Sequence, residues 1–593
     1  MKKTFISDYI NRMLPTVIIS QIIMTICTVI DAALTGKFLG TEAVAAEGMI
    51  TPVVMIVIAV AGIMSAGNST ACSNAFGKGD IDEINKLFST TFSTSLGFSI
   101  FCTVLILIFP NFVCVSLGLK PETELFNLTK DYLIGYVPLM PILSVIMILP
   151  ALLQIEGDNK TSVVAVILIF VLDIVFDLLN IFVLQGGVLG MALATTLSYY
   201  VAGILVLIRF FSKKRTVKFS FKYVELHRVG KILSYGTPTF INALCIGLTT
   251  AAINWAFLEY GSELYVAAFT IVSKIGDILL CVCYGMGEMT ATVTGIANGE
   301  DERDELKEIL YVMGQKSITI NLALIVLTWI FGAMPLVLFT SEQNIIEMSA
   351  FGLKIFSLQF IFRTLIICYI NYLRGIKEFL AGNIILTVMM LTAAAFAFCA
   401  PPTFGVDSIW YSYLFSVTVS LIFVLILVRV HGKKTPFNFD NLILKPDSYG
   451  ISKENYLEWE ITDIDNLCKN CESAAEFVKA HGGNDRQAFH ISLFMEELGK
   501  NVLSWSFQDK KKHRLTIKIM FNSGEFILRF RDDGVQFDPT EYYKIHKGEN
   551  PAENFGIRMV FSMNPEVTYL NTMNLNNLII KLKSNQSANG MII

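Results

Sequence analysis

Long apolar stretches dominate the first 430 residues, and each is about as long as one membrane crossing. An apolar helix needs about 20 residues to cross roughly 30 Å of hydrocarbon. The pattern predicts twelve such helices, near 13–36, 46–70, 89–117, 131–154, 162–184, 187–211, 232–258, 264–297, 316–340, 348–374, 380–402 and 405–430. The sequence therefore predicts a mostly α-helical, multi-pass membrane protein.

The density of charged residues rises sharply after residue 430. Charged residues are 16% of the whole chain, whereas about 25% is usual in soluble proteins. Residues 431–593 carry 41 of them, which is about the soluble density. We therefore expect two six-helix bundles at 1–222 and 223–432, a linker at 433–449 and a soluble domain at 450–593.

Lys and Arg residues collect at one end of the predicted helices. They occur at the N-terminus and after helices 2, 6, 8 and 10, whereas the connections after helices 5, 7, 9 and 11 carry none. Because basic loops stay on the cytoplasmic side, we expect both termini in the cytoplasm and the protein in a bacterial inner membrane. The net charge of −4 gives no basis for nucleic acid as a partner.

The two predicted bundles contain similar sequences. LGTEAVAAEGMI (39–50) is similar to YGSELYVAAFTI (260–271), and NAFGKGDIDEINKL (74–87) is similar to GIANGEDERDELKEI (295–309). The offset is about 222 residues. Six helices per repeat keep the same orientation, so a two-fold axis along the membrane normal would relate the bundles, as is typical of transporters.

Three carboxylates lie well inside predicted membrane helices of the first bundle. Asp31 is in the first helix, and Asp173 and Asp177 share one face of the fifth at i and i+4. Thr195 in the sixth adds a hydroxyl. A carboxylate in a membrane is costly and usually marks an ion or substrate path. Neighbouring carboxylates resist double ionisation, so we expect this group to bind a proton or another cation.

The strings IDAALTGKFLG, GDNKTSVVAVILIFVLDIVFDLLNIF and GGVLGMALATTLS resemble those of multidrug and toxic compound extrusion (MATE) transporters. The resemblance covers roughly residues 10–430. It implies twelve helices in two bundles and xenobiotic efflux driven by entering H⁺ or Na⁺. It also implies a cation and substrate site at Asp31, Asp173, Asp177 and Thr195. Asp173 stands where the family often has Asn.

The last part of the chain alternates strand and helix patterns. Strands are predicted near 456–461, 514–521, 525–531, 566–570 and 577–583, and helices near 463–481, 486–506 and 555–563. This order, with hairpin turns, favours an α/β two-layer sandwich.

Three motifs follow each other in this part. Glu497 and Asn501 lie at i and i+4 on one helix face, where a carboxylate can activate a hydroxyl and an amide oxygen can ligate Mg²⁺. Asp532 can accept a hydrogen bond from an exocyclic amine, and Gly534 permits a tight turn. Gly556 begins a helix whose N–H groups could hold phosphate.

Together these motifs resemble the Bergerat-type (GHKL) ATPase fold, in its anti-sigma-factor serine-kinase branch. The resemblance implies ATP and Mg²⁺ as cofactors, held by Asn501, Asp532, Gly534 and Gly556, with the metal carried by the nucleotide at Asn501. It implies Glu497 as the catalytic base of an ATPase or serine kinase, and a cytoplasmic protein partner for the tail. Trp505 stands where that branch often has His, so nucleotide binding is better supported than catalysis.

The function predicted from these features is a cation-coupled antiporter that exports small organic molecules and carries a cytoplasmic ATP-binding regulatory domain. A P-loop is missing from the sequence, so ATP need not drive transport. Two alternatives stay open at this stage. One is a membrane receptor with anti-sigma-type serine kinase output, and the other is a lipid-intermediate flippase.

Overall fold

The structure is a computed structural model that describes residues 5–583, except 118, 122, 213–216, 333, 339–341, 433–438, 447, 508–512, 523, 547–554, 564–565 and 574. Residues 5–432 form two sets of eight helices. The first set is α1 (Phe5–Phe38), α2 (Thr41–Lys78), α3 (Ile81–Ile108), α4 (Pro110–Ser116), α5 (Glu124–Tyr136), α6 (Leu139–Ile155), α7 (Asn159–Leu179) and α8 (Gly187–Ser212). The second set is α9 (Val229–Tyr260), α10 (Glu263–Gly299), α11 (Arg303–Phe331), α12 (Gln343–Leu358), α13 (Phe360–Gly375), α14 (Phe379–Cys399), α15 (Pro401–Phe404) and α16 (Ser412–Gly432).

Most of these helices are long and apolar enough to cross a bilayer. Among the described residues nine helices meet that test, and up to eleven crossings result if each of two bent pairs is one span. The bent pairs are α5 with α6, at 46°, and α12 with α13, at 45°. A multi-pass helical protein is therefore confirmed, and the number twelve stays a prediction.

The two halves pack against each other through α1 and α2 of the first and α9 and α10 of the second. Glycines allow this close approach. A Cβ at Gly77 would overlap the carbonyl oxygen of Ile296, and one at Gly299 would overlap the carbonyl oxygen of Asn74. Beside them, Asn298 Nδ2 donates to Asn74 Oδ1 at 2.6 Å. The halves are thus closely packed where α2 and α10 end.

The rest of the chain forms a second, smaller structure with its own core. Its helices are α17 (Phe439–Leu442), α18 (Ile464–Ala480), α19 (Asp485–Asn501), α20 (Pro539–Ile545) and α21 (Phe555–Ser562). Its strands are β1 (Tyr456–Ile461), β2 (Leu515–Asn522), β3 (Glu525–Asp532), β4 (Glu566–Thr572) and β5 (Leu575–Lys583). We call residues 456–583 the sheet unit.

The strands of the sheet unit form one antiparallel sheet in the order β1-β2-β3-β5-β4. One face of the sheet packs on α18 and α19 through apolar residues that include Ile517, Leu528 and Ile580. The predicted elements are confirmed within a few residues, except that the predicted helix at 486–506 ends as an α-helix at Asn501 and continues as a π-helical turn. The Bergerat assignment of this fold stays a prediction.

The sheet unit rests on the end of the bundles formed by the turns after α2, α6 and α10, which we call the tail end. The backbone N–H of Met573 donates to the carbonyl of Ile155 at 3.1 Å. Part of the predicted linker also packs there, because Ile443 is fully buried and the Tyr449 hydroxyl donates to the Asn298 carbonyl at 3.1 Å. Residues 433–438 and 447 of that linker lie outside the described residues.

Candidate functional site

The acids predicted in the first half come together inside the bundle. Asp173 and Asp177 on α7 are 3% and 0% exposed, and Thr195 on α8 is 8% exposed. Cys27 Sγ donates to Asp173 Oδ2 at 3.1 Å, and Ser198 Oγ donates to Asp173 Oδ1 at 3.3 Å. Sequence position alone had not shown that α1, α7 and α8 meet at these side chains.

Asp177 differs from Asp173 in its surroundings. Both of its carboxylate oxygens are buried, and neither has a hydrogen-bond partner among the residues that the structure describes. An ionised carboxylate in that position would cost several kcal/mol, because nothing replaces the water it has lost. A proton or a bound cation at this position would remove that cost.

The electrostatic surroundings of this cluster are acidic. Asp31 interacts with Asp177, Glu47 and Asp173, and Asp177 interacts with Asp173 and Glu47. Among the described residues, no Lys or Arg is an electrostatic neighbour of these three aspartates, whereas Glu47 has Lys274 of α10 as such a neighbour. A positive charge brought into the cluster would be attracted by several carboxylates at once.

Three members of this cluster, Glu47, Ser198 and Cys27, were missed in the sequence. Glu47 lies at the start of the second predicted helix, where an acid is easily assigned to the membrane surface. Ser198 is three residues after Thr195, on the same face of α8. Ser198 had a local signal, because it is a hydroxyl one helical turn from the selected Thr195, whereas Glu47 had no selected residue near it in the chain.

The end of α7 is fixed by Asn180, which lies three residues after Asp177. Its Nδ2 donates to the Gly187 carbonyl at 3.0 Å, and its Oδ1 accepts from the Gly186 N–H at 3.0 Å. A Cβ at Gly190 would overlap this side chain. The GGVLG stretch is therefore required for the π-helical turn that joins α7 to α8, next to the acids.

The second half contains a different cavity, of about 90 Å³, lined by residues of α9, α10, α12, α13, α14 and α16. Arg363 is 4% exposed there, and its guanidinium reaches Gln359 Oε1 at 3.3 Å and the Tyr284 hydroxyl at 3.4 Å. Asp277 lines the same cavity. The two halves thus share an architecture but not a charge pattern.

The residues predicted to bind nucleotide also come together, along α19. Asn501 Nδ2 donates to the Glu497 carbonyl at 2.8 Å, which leaves the amide oxygen of Asn501 as the atom that could face a metal ion. A Cβ at Gly556 would overlap the Glu497 carboxylate, and one at Gly534 would lie 2.7 Å from Ser506 Cβ. Gly534 therefore permits a close approach to the Ser506 backbone, whereas a side chain at Gly556 would require the Glu497 carboxylate to move.

Asp532 ends β3 beneath this site and is 3% exposed. Its Oδ1 accepts from Asn576 Nδ2 at 2.8 Å and from the Gly534 N–H at 3.0 Å. Burial raises the pKa of Asp532 to about 6, against the opposite effect of these hydrogen bonds. Carboxylates, an amide oxygen and a glycine at a helix start form a donor set that fits a magnesium nucleotide.

Two bundles of apolar helices with buried acids in one of them define the class of membrane transporters. Residues 16–179 and 238–399 match the sequence model of the MatE family. The chain belongs to this family.

Individual relatives agree with that assignment. The chain is 23% identical over 393 residues to the multidrug export protein MepA of Staphylococcus aureus (strain MSSA476), covering 63% of this chain and 86% of that protein. It is 22% identical over 336 residues to the probable multidrug resistance protein YoeA of Bacillus subtilis (strain 168), covering 55% of this chain and 72% of YoeA.

Solved structures show the same fold. A MOP superfamily transporter from Pyrococcus furiosus superposes with a TM-score of 0.67 at 23% identity, covering 72% of this chain and 97% of that one. An outward-facing multidrug resistance MATE transporter superposes with a TM-score of 0.66 at 23% identity, covering 70% of this chain and 94% of that one.

Proposed function

We propose that this protein is a cation-coupled exporter of small organic molecules in a bacterial inner membrane, with a nucleotide-binding regulatory sheet unit in the cytoplasm. The observation that carries the proposal is the buried carboxylate of Asp177, which has no hydrogen-bond partner in the described part of the chain and lies among Asp31, Asp173 and Glu47. The export assignment is supported by the names of relatives such as MepA.

The acid cluster would act by exchanging its cation for cargo. An entering H⁺ or Na⁺ neutralises the carboxylates, which removes the cost of burying their charge. Loss of the cation restores that cost and favours the arrangement in which the cluster is open to water. A ligand can shift such an equilibrium only by its differential affinity for the two arrangements, and the acids supply that difference.

Vesicle transport tests this function. Protein in sealed vesicles should expel ethidium when a pH or Na⁺ gradient is imposed, even when ATP is absent, because the gradient and not the nucleotide supplies the energy. Efflux that required ATP, or that ignored both gradients, would contradict the proposal. No efflux together with ATP-dependent phosphorylation of a protein would favour a receptor with kinase output.

The sheet unit would bind Mg²⁺–ATP along α19. The amide oxygen of Asn501 would ligate the Mg²⁺ that the nucleotide carries, and Asp532 would accept a hydrogen bond from the adenine amine. The N–H groups at Gly556 would bind phosphate. The bound nucleotide supplies a transferable phosphoryl group. Glu497 lies against Gly556, where it could act as a base toward a hydroxyl.

Nucleotide binding should weaken in acid because of Asp532. Burial raises its pKa to about 6, so the carboxylate becomes protonated as the pH falls through 6 and then loses the negative charge that would attract the adenine amine. The affinity for Mg²⁺–ATP should be nearly constant from pH 7 to 8 and about tenfold lower at pH 5. Isothermal titration at these pH values measures it.

The matched control for that titration is Asp485→Asn, because Asp485 is an exposed acid of the same unit that pairs with Lys479. Asp485→Asn should leave the pH profile unchanged, whereas Asp532→Asn should bind weakly at every pH. A parent protein whose ATP affinity is the same at pH 5 and pH 7 would contradict the role of Asp532.

A further inference from the structure

The outer face of the sheet, opposite α18 and α19, is joined to the second half of the membrane part by buried ion pairs. Lys518 Nζ lies 2.7 Å from Glu302 Oε1, and Arg529 Nη1 lies 3.2 Å from Glu300 Oε2. Arg531 Nη2 lies 2.5 Å from the same Glu300 oxygen. Arg531 Nη1 also lies 2.7 Å from Glu305 Oε1. The acidic partners of these ion pairs are therefore Glu300, Glu302 and Glu305, in the turn after α10 and at the start of α11.

These ion pairs are electrostatically matched. Burial alone would raise the pKa of Glu300, but the guanidinium groups of Arg531 and Arg529 outweigh it and lower that pKa. Glu300 and Arg531 are 5% and 9% exposed at their side chains. Removing one partner of such a pair leaves an uncompensated buried charge, so the contact is costly to break on one side only.

The same face of the sheet also contacts the first half of the membrane part. Residues directly opposite each other on paired strands share a face, and Arg529 lies opposite Ile579, which lies opposite Thr568. Gly79, in the turn after α2, lies against this face. A Cβ placed on Gly79 would lie within 4 Å of the side chains of Ile579, Thr568 and Leu570. One row of side chains across the sheet therefore contacts the second half at Arg529 and the first half at Ile579 and Thr568.

Further contacts extend the attachment to the first half. Met573 donates its backbone N–H to the Ile155 carbonyl, and Arg514 lies 3.3 Å from the carboxylate of Asp8 on α1. Leu570 and Met573 are buried in the hydrophobic core of the helical bundles, not in the core of the sheet unit. The turns at 79–80 and 300–302 lie at corresponding positions of the internal repeat, so the sheet holds both copies of one loop.

We propose that the sheet unit is a clamp that holds the two bundles together at the tail end. The inference rests on the proposed function, because only a transporter needs to separate its bundles there. Closed packing at Gly77 and Gly299 brings the two repeated turns to the spacing that one rigid sheet can bridge. When the bundles separate, the sheet must lose either its ion pairs with the second half or its apolar contacts with the first half.

The nucleotide site lies directly behind the clamp. Successive residues of a strand point to opposite faces, so Arg531 faces the bundles while Asp532 faces α19. Two successive residues of β5 also lie on opposite faces. Asn577 accepts a hydrogen bond from Arg531 Nε at 2.9 Å on the face toward the bundles, and Asn576 donates one to Asp532 at 2.8 Å on the face toward α19. A nucleotide bound at Asp532 would thus be one residue away from Arg531 and its buried ion pairs. A shift of Asp532 on nucleotide binding would move Arg531, and in this way the nucleotide can regulate the clamp.

Cross-linking between the halves tests the clamp. Lys78 ends α2 and Lys377 follows α13; both are exposed and are electrostatic neighbours. The full chain carries Lys78→Cys and Lys377→Cys, with the exposed cysteines Cys399 and Cys468 replaced by Ser. The initial rate of cross-linking by a short bis-maleimide reports how often the tail end is closed. It is measured without drug, ion gradient or nucleotide, so failure of the export or ATP assignments would not affect it.

Two variants open the clamp from opposite sides. Lys518→Glu places like charges against Glu302, and Leu570→Asp buries a charge beside Gly79. Each should lower the cross-linking rate about fivefold or more, the lower limit of typical coupling between sites. The double variant Lys518→Glu with Glu302→Lys should recover part of the rate.

The matched control is Lys479→Glu, which reverses a charge in an ion pair of the sheet unit on α18, away from the bundles. It should cross-link at the parent rate. Unfolding temperatures of the variants show that the sheet unit remains folded, as expected because neither Lys518 nor Leu570 belongs to its core. Parent-like rates in both folded variants, or an effect from only one side, would overturn the proposal.

Discussion

Replacing Asp177 with Asn should reduce gradient-driven efflux by about 100-fold or more. The amide has nearly the same shape but cannot take up and release a proton or bind a cation as a carboxylate does. Burying an unpaired carboxylate costs several kcal/mol, and each 1.4 kcal/mol changes a rate about tenfold. Ethidium efflux from vesicles with an imposed pH or Na⁺ gradient measures the loss.

Asp131→Asn is the matched control for this change. Asp131 is also a carboxylate on a helix of the first half, but it is exposed on α5. Its replacement should leave efflux near the parent rate. If Asp177→Asn transported as well as Asp131→Asn, the acid cluster could not be the coupling site, even if the protein proved to be an exporter.

Replacing Gly77 with Val should reduce efflux by about tenfold or more. A Cβ at this position would overlap the Ile296 carbonyl oxygen and would lie 2.8 Å from Gly299 Cα. Overpacking of a close contact typically costs 1–3 kcal/mol, and here the strain arises only when the bundles meet at the tail end. The protein should therefore be made and inserted normally but should fail to close.

Gly62→Val provides the comparison for Gly77→Val within the same helix. Gly62 lies on α2, and a Cβ there would meet nothing within 4 Å. Both variants carry the same change in helix propensity, so their difference isolates the contact between the bundles. Equal efflux from the two variants, at equal protein levels, would show that close packing at Gly77 is not needed for transport.

The membrane acids were predictable because their signal is local. Asp173 and Asp177 are four residues apart in an apolar stretch, and that spacing alone places them on one helix face. Glu47 was not predictable, because its position in the cluster depends on how α2 packs against α1. Helix packing is decided by many weak contacts that a single sequence does not display.

The strands and helices of the sheet unit were also predictable from local sequence patterns, and β1 was predicted at its observed bounds. Its docking was not predicted. Lys518, Arg529 and Arg531 alternate with apolar residues and so have the pattern of a solvated sheet face, yet all three are buried. Only the acidic turn after α10, hundreds of residues away in the chain, explains why charges on that face are stable without water.

Release of a cation on substrate binding tests the central claim most directly. Tetraphenylphosphonium is added to the purified full-length protein in weakly buffered solution, and the released H⁺ or Na⁺ is counted. If cation and cargo exchange at the acid cluster, about one cation should leave per bound molecule in the parent protein, by reciprocal linkage, and none should leave in Asp177→Asn. Binding of the organic cation by the parent protein with no release of H⁺ or Na⁺ would contradict the exchange.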